Sequence, residues 1–159
     1  MKRIVFAIAA LLMSVAASAD LTSTERVFQN SVKDYLTEEG YKPSIDEDED
    51  LIFKVEGTTY WVTVKDEPVG YDNYFYVQVC TDLGSHDVNL DALRKAINQV
   101  NREYKVGKCY LTPSEESIMF KITEFCYSSH DLIKFLPRYV KILNQMSSDL
   151  TDYYSKFEE

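Results

Sequence analysis

The sequence predicts an α+β protein, one antiparallel sheet of five strands packed by helices at the beginning, middle and end of the chain, in the order α-β-β-β-α-β-β-α. Three observations predict it. Apolar residues recur at three- and four-residue steps in three separate stretches, the period of a helix with one buried face. Between them lie short segments rich in β-branched and aromatic residues, with apolar and polar positions alternating as in a half-buried strand. Repeats and low-complexity linkers are absent, and about 140 residues form a single domain able to bury roughly two-thirds of its unfolded surface.

The elements follow in order. Lys2 and Arg3 precede an apolar run from Ile4 to Val15 and the small residues Ala17-Ser18-Ala19, the pattern of a cleavable secretory signal over residues 1–19. The run is shorter than the ~20 residues a spanning helix needs, and the first cysteine is Cys80, so neither a membrane anchor nor a lipid anchor is expected. Residues 20–159 then form the single domain, exported to a periplasm or secreted. Thr22 to Glu25 has the form of a capping box, and Leu21, Phe28, Val32, Tyr35 and Leu36 give the first helix its stripe until Gly40 stops it. Beyond Pro43 and the acidic run Asp46 to Asp50 come strands over Leu51 to Val55, Thr59 to Lys65 and Tyr74 to Thr81. A Glu56-Gly57 hairpin joins the first two, and a loop from Asp66 to Asp72 joins the second to the third.

Asn89 caps a second helix with Leu90, Leu93, Ile97, Val100 and Tyr104 on one face, ending near Gly107. Strands over Lys108 to Thr112 and Ser117 to Phe125 follow. The last helix is the longest. Leu132, Leu136, Tyr139, Leu143, Met146, Leu150, Tyr153 and Phe157 alternate steps of four and three, and Pro137 is expected to bend the helix, not end it. That stripe, Leu136 to Tyr153 above all, either covers the sheet or forms a homodimer interface.

Glu39-Gly40-Tyr41-Lys42-Pro43-Ser44-Ile45-Asp46, followed by Leu51-Ile52-Phe53-Lys54-Val55-Glu56-Gly57 and Tyr60, resembles the opening of YbjN-like bacterial domains. Ala96-Ile97-Asn98, Asn101 and Lys105-Val106-Gly107-Lys108 are similar to the helix-to-strand passage of that family, and the resemblance covers most of residues 24–157. It implies the fold of type III secretion chaperones, which are acidic dimers that bind extended segments of partner proteins. The secretory signal departs from those cytoplasmic proteins, so the resemblance carries over a fold and a bias toward binding a protein or peptide, and no specific role.

Charge and motifs narrow the function classes. Without residues 1–19, 15 basic residues face 26 acidic ones, a charge of −11 that opposes nucleic acid and anionic membranes. The three cysteines Cys80, Cys109 and Cys126 lie in apolar strand-like segments, with no metal or redox spacing, and are expected to be buried free thiols or, alternatively, to include one bridge. Asp46-x-Asp48-x-Asp50 imitates a calcium loop but continues with Leu51 and Gly57 where Gly and Glu are needed, so it reads as a solvated acidic connection guarding an edge strand. Ser85-His86-Asp87 and Ser129-His130-Asp131 spell a triad, yet consecutive side chains diverge, and both copies sit where a helix needs a cap. No cofactor, metal or catalytic motif stands out. Trp61, Tyr71, Tyr74 and Tyr76 form a candidate platform for a peptide or glycan, with core packing under a helix or dimer partner as the alternative. The expectation is an exported, non-enzymatic binding protein. The competing readings are a carboxylate hydrolase without a motif and a structural envelope dimer.

Overall fold

The computed structural model describes residues 21–69, 72–84 and 88–158. Residues 1–19, Tyr71 and Ser85-His86-Asp87 therefore lie outside the described residues, and with them the secretory signal, one platform residue and the first triad-like string. The elements run α1 (Ser23–Glu38), β1 (Ser44–Ile45), β2 (Leu51–Val55), β3 (Thr58–Val69), β4 (Asp72–Gly84), α2 (Leu90–Glu103), β5 (Lys108–Leu111), β6 (Ser117–Cys126) and α3 (Ser129–Glu158). The sheet is antiparallel and open, in the order β1-β2-β3-β4-β6-β5.

The sheet thus has six strands instead of five. The extra one, β1, pairs Ser44 with Ile52 and Ile45 with Leu51, and two exposed residues are too few to show a period. Its presence means that the start of β2 is covered, so the acidic run does not guard an open edge there. Nor is there a long loop after Lys65. Backbone pairing continues through Pro68 opposite Asn73 and Val69 opposite Asp72, because the ladder is held by main-chain groups even where the sequence breaks apolar alternation.

The core face of the sheet is set by register. Leu51, Val62, Val79 and Ile122 lie in one cross-strand row, and Phe53, Tyr60, Thr81, Phe120 and Cys109 in the next. Every one of them is buried. The helices cover this face, α1 over β2 and β3, α3 over β4 and β6, and α2 beside α3 over β5. The capping box of α1 forms as expected, with Glu25 N–H donating to Thr22 Oγ1 at 3.2 Å and Thr22 N–H donating to Glu25 Oε2 at 2.7 Å. Glu56 and Gly57 both take positive φ, the conformation a two-residue hairpin turn requires. Gly107 is required twice over: its φ is +94°, and a Cβ there would meet Met146 Sδ at 2.9 Å.

α3 runs unbroken through Pro137, and Leu132, Leu136, Tyr139, Leu143, Met146 and Leu150 are all buried under it. The stripe is consumed by the sheet and by the neighbouring helices, so the dimer-interface reading of these residues does not hold. Its end also shifts. Tyr154 is buried, Tyr153 is half-buried and Phe157 is 41% exposed. Steps of four and three average 3.5 residues, whereas a straight helix turns every 3.6. The stripe therefore drifts by about 20° per heptad, or about 60° from Leu132 to Tyr153, and the next residue takes over the core.

Candidate functional site on the open face of the sheet

Because the three helices share one face, the alternate residues of every strand point away from them. The outward row nearest the centre is Ile52, Trp61, Cys80, Lys121 and Lys108; the next along the strands is Thr63, Gln78 and Thr123, then Lys65, Tyr76 and Phe125, then Tyr74 on β4. Tyr74, Tyr76 and Trp61 are each half-exposed. No helix among the described residues covers them, since all three helices pack on the other face.

At one end of this face four rings come together. Tyr74 meets Phe125 edge to face at 5.1 Å between centroids, Tyr76 meets Phe125 at 5.8 Å, and Tyr74 meets Tyr127 edge to face at 6.5 Å. Such spacing is favourable for aromatic pairs, but among the described residues nothing covers the cluster: Phe125 is 63% exposed and Tyr127 is 73% exposed. Two polar contacts shape it. Gln78 Nε2 donates to Tyr76 Oη at 2.6 Å, and Tyr127 N–H donates to the Asp131 carboxylate at 3.1 Å. Asp131 also accepts from Ser128 N–H at 2.9 Å and Ser128 Oγ at 3.1 Å, so it closes the start of α3 and holds the segment that presents Tyr127. Capping, as expected, is the role of the Ser129-His130-Asp131 string, and His130 is exposed.

Trp61 shares the face but not the cluster. It pairs with Cys80, four residues along β4 from Tyr76, a separation of about 13 Å at ~3.3 Å per residue. Phe125 and Tyr127 join the site without being among its sequence-predicted residues. Their signal was parity: Phe125 falls on the same side of β6 as Met119, Lys121 and Thr123.

The ionisable groups on and near this face are strongly conditioned. Burial pushes the Cys80 thiol up to about 12, against a smaller pull from Lys121. Burial also raises Asp50, which bonds to Thr63, and Asp82. Lys121 Nζ lies 5.3 Å from the centre of the Tyr110 ring. A thiol that stays protonated is a poor nucleophile, so what the face offers chemically is ring surface bordered by lysine and amide groups.

The acidic run has structural work instead. Asp46 Oδ1 accepts from Asp48 N–H at 3.0 Å and Asp50 N–H at 2.8 Å, closing the turn on itself. Glu49 accepts from Leu21 N–H at 2.5 Å and Arg26 at 3.0 Å, and its carbonyl accepts from Gln29 Nε2 at 2.5 Å. The run is a solvated connection, with Glu47 and Asp48 exposed, and through Glu49 it also anchors α1. Among the described residues no three His, Cys, Asp or Glu side chains gather as a metal cluster, and no helix is long and apolar enough to cross a membrane. Cys109 and Cys126 are buried free thiols as expected, whereas Cys80 is free but only half-buried on the open face.

Residues 29–128, more than half of the chain, match the protein family YbjN, described as "Putative bacterial sensory transduction regulator". No curated protein matches the chain.

Proposed function

The chain belongs to the YbjN family, and from that premise we propose that it is a non-enzymatic binding protein that holds a partner protein against the open face of its sheet. The observation that carries the reading is the uncovered cluster of Tyr74, Tyr76, Phe125 and Tyr127, with Phe125 and Tyr127 both more exposed than buried. Aromatic side chains give broad contact at low entropy cost and are enriched at the centres of protein interfaces. The description of the family as a regulator is consistent with a module whose output is the occupancy of that face. A chaperone-like arrangement of helices over one sheet, of the type III secretion kind, fits the same role, and the signal-like pattern of the first nineteen residues supports a role in the cell envelope or exterior.

The test is affinity capture from the native envelope fraction with wild type and Phe125→Ser/Tyr127→Ser as baits, followed by native mass measurement. A partner retained by the wild type and lost by the variant is the expected result. Capture of the same partner by both baits would move the binding site elsewhere. A symmetric dimer that buries the four rings and takes no other partner would replace the proposal with a purely structural role, and turnover of a small substrate would replace it with an enzyme.

A further inference from the structure

A second surface, of different chemistry, lies on the side of α3 that faces away from the sheet. Between the end of α2 and the first half of α3 runs an open groove of about 610 Å3, with Tyr104, Pro137 and Ile142 forming apolar wall and Lys134, Arg138 and Lys141 placed along it. The chain carries 26 acidic residues, yet from Leu132 to Gln145 there is none. The three cations stand at intervals of four and three residues, so they share one helix face, and all three are exposed. Among the described residues, the salt bridges use Arg26 and Arg94 and none of these three. Lys134 Nζ lies 5.3 Å from the centroid of the Phe135 ring.

Like charges at this spacing repel one another along a helix, and an ordinary solvated face relieves that with intervening carboxylates. Between Leu132 and Gln145 the helix itself supplies no such carboxylate; Asp131 and Asp149 flank the stretch, and Asp149 is taken up by hydrogen bonds from Tyr104 and Gln145. We propose that this groove binds an acidic segment of a partner protein. Lys134 and Lys141 are separated by about 10 Å at ~1.5 Å rise per residue, too far for one small anion to touch all three cations. An extended peptide places side chains of the same side about 7 Å apart, close to the step from Lys134 to Arg138, so alternate Glu or Asp residues can meet successive cations. Apolar residues of the same segment would then lie on Pro137 and Ile142. The Tyr104 hydroxyl is engaged, donating to Asp149 at 2.6 Å, and does not compete for the segment. Nucleic acid is a poorer fit, since only a short row of cations is available against a large net negative charge. The proposal is independent of the sheet-face reading, because it uses the opposite side of the molecule.

The probe is a fluorescent peptide of alternating Glu and Leu residues, titrated with the purified protein by anisotropy, beside a peptide with Gln in place of Glu. Saturable binding of the Glu peptide is expected, weakened about tenfold by Arg138→Glu and left unchanged by Lys42→Glu, an equal charge change on an exposed loop. Binding should also fade as salt rises from about 0.1 M to about 1 M, which shortens the screening length from about 10 Å to about 3 Å. Arg138→Gln, which adds no like charge, should weaken binding in the same direction, and circular dichroism of each variant should match wild type. Absence of binding, equal binding of the Gln peptide, or equal weakening by Lys42→Glu would overturn the proposal. Tighter binding of inorganic tripolyphosphate or of a short single-stranded oligonucleotide than of the Glu peptide would overturn the assignment to an acidic polypeptide.

Discussion

Glu25 shows how one buried carboxylate ties the start of α1 to β3. It closes the capping box of α1 through Thr22 and accepts from Asp66 N–H of β3 at 2.6 Å, although it is only 5% exposed. Burial raises its pKa, but the hydrogen bonds from Asp66 and Thr22, with Lys65 nearby, outweigh that and leave it below the ordinary 4.5. Glu49, bonded to Leu21 and Arg26, is lowered as well. A carboxyl whose folded pKa lies below its unfolded value stabilises the fold above the unfolded value and loses that contribution as pH falls through the folded one. Stability should therefore decline on acidification from about pH 5 downward. Glu25→Gln should cost about 1 to 2 kcal/mol near neutral pH and give a shallower acid decline, read from urea midpoints across that range. An equally steep decline in the variant would show that Glu25 does not contribute to it.

Asn101 secures the far edge of the sheet by joining α2 to β5. Its Nδ2 donates to the Cys109 carbonyl at 2.8 Å and its Oδ1 accepts from Cys109 N–H at 2.9 Å, so one side chain imitates a neighbouring strand. Removing it leaves a donor and an acceptor beside the core. Asn101→Ala should cost about 1 to 3 kcal/mol and speed amide exchange at Cys109, and unchanged exchange would refute this account. α2 is held to α3 by tyrosines as well: Tyr154 Oη accepts from Asn89 N–H at 3.0 Å, and Tyr153 donates to Glu103 at 2.7 Å. Helix periods, caps and hairpin turns were legible because each depends on residues a few positions apart. The displacement of Tyr153 by Tyr154 was not, because a drift that is negligible over one heptad decides the outcome over three.

Across the whole molecule, one covered face and one bare face divide the cysteines. Cys109 and Cys126 lie among the core residues, and Cys80 lies opposite them on the outward side, so the sheet itself separates the first two from the third. Burial pushes Cys80 and Cys109 up to about 12 and Cys126 up to about 11. At pH 8 the reactive thiolate is then a fraction of about 10⁻³ or less. Thiol reagent should label the native protein slowly and reach all three cysteines after unfolding without reductant. Fast native labelling, or fewer than three reactive thiols after unfolding, would contradict the arrangement. Half of the candidate site, Tyr74 and Tyr76, was visible as alternation along one strand. Phe125 and Tyr127 join them only through the pairing of β4 with β6, which brings together residues about fifty positions apart.

What the sequence alone determined were the local matters: three amphipathic helices with their caps, most strands, the hairpin at Glu56-Gly57, the acidic balance and the resemblance to the YbjN family. Periodicity, turn chemistry and charge are properties of neighbouring residues, so they survive without coordinates. Which face of the sheet stays bare, which rings gather on it and where the cations of α3 point were decided by the tertiary structure. All three depend on placing the helices on one side, a choice made by packing between residues distant in the chain.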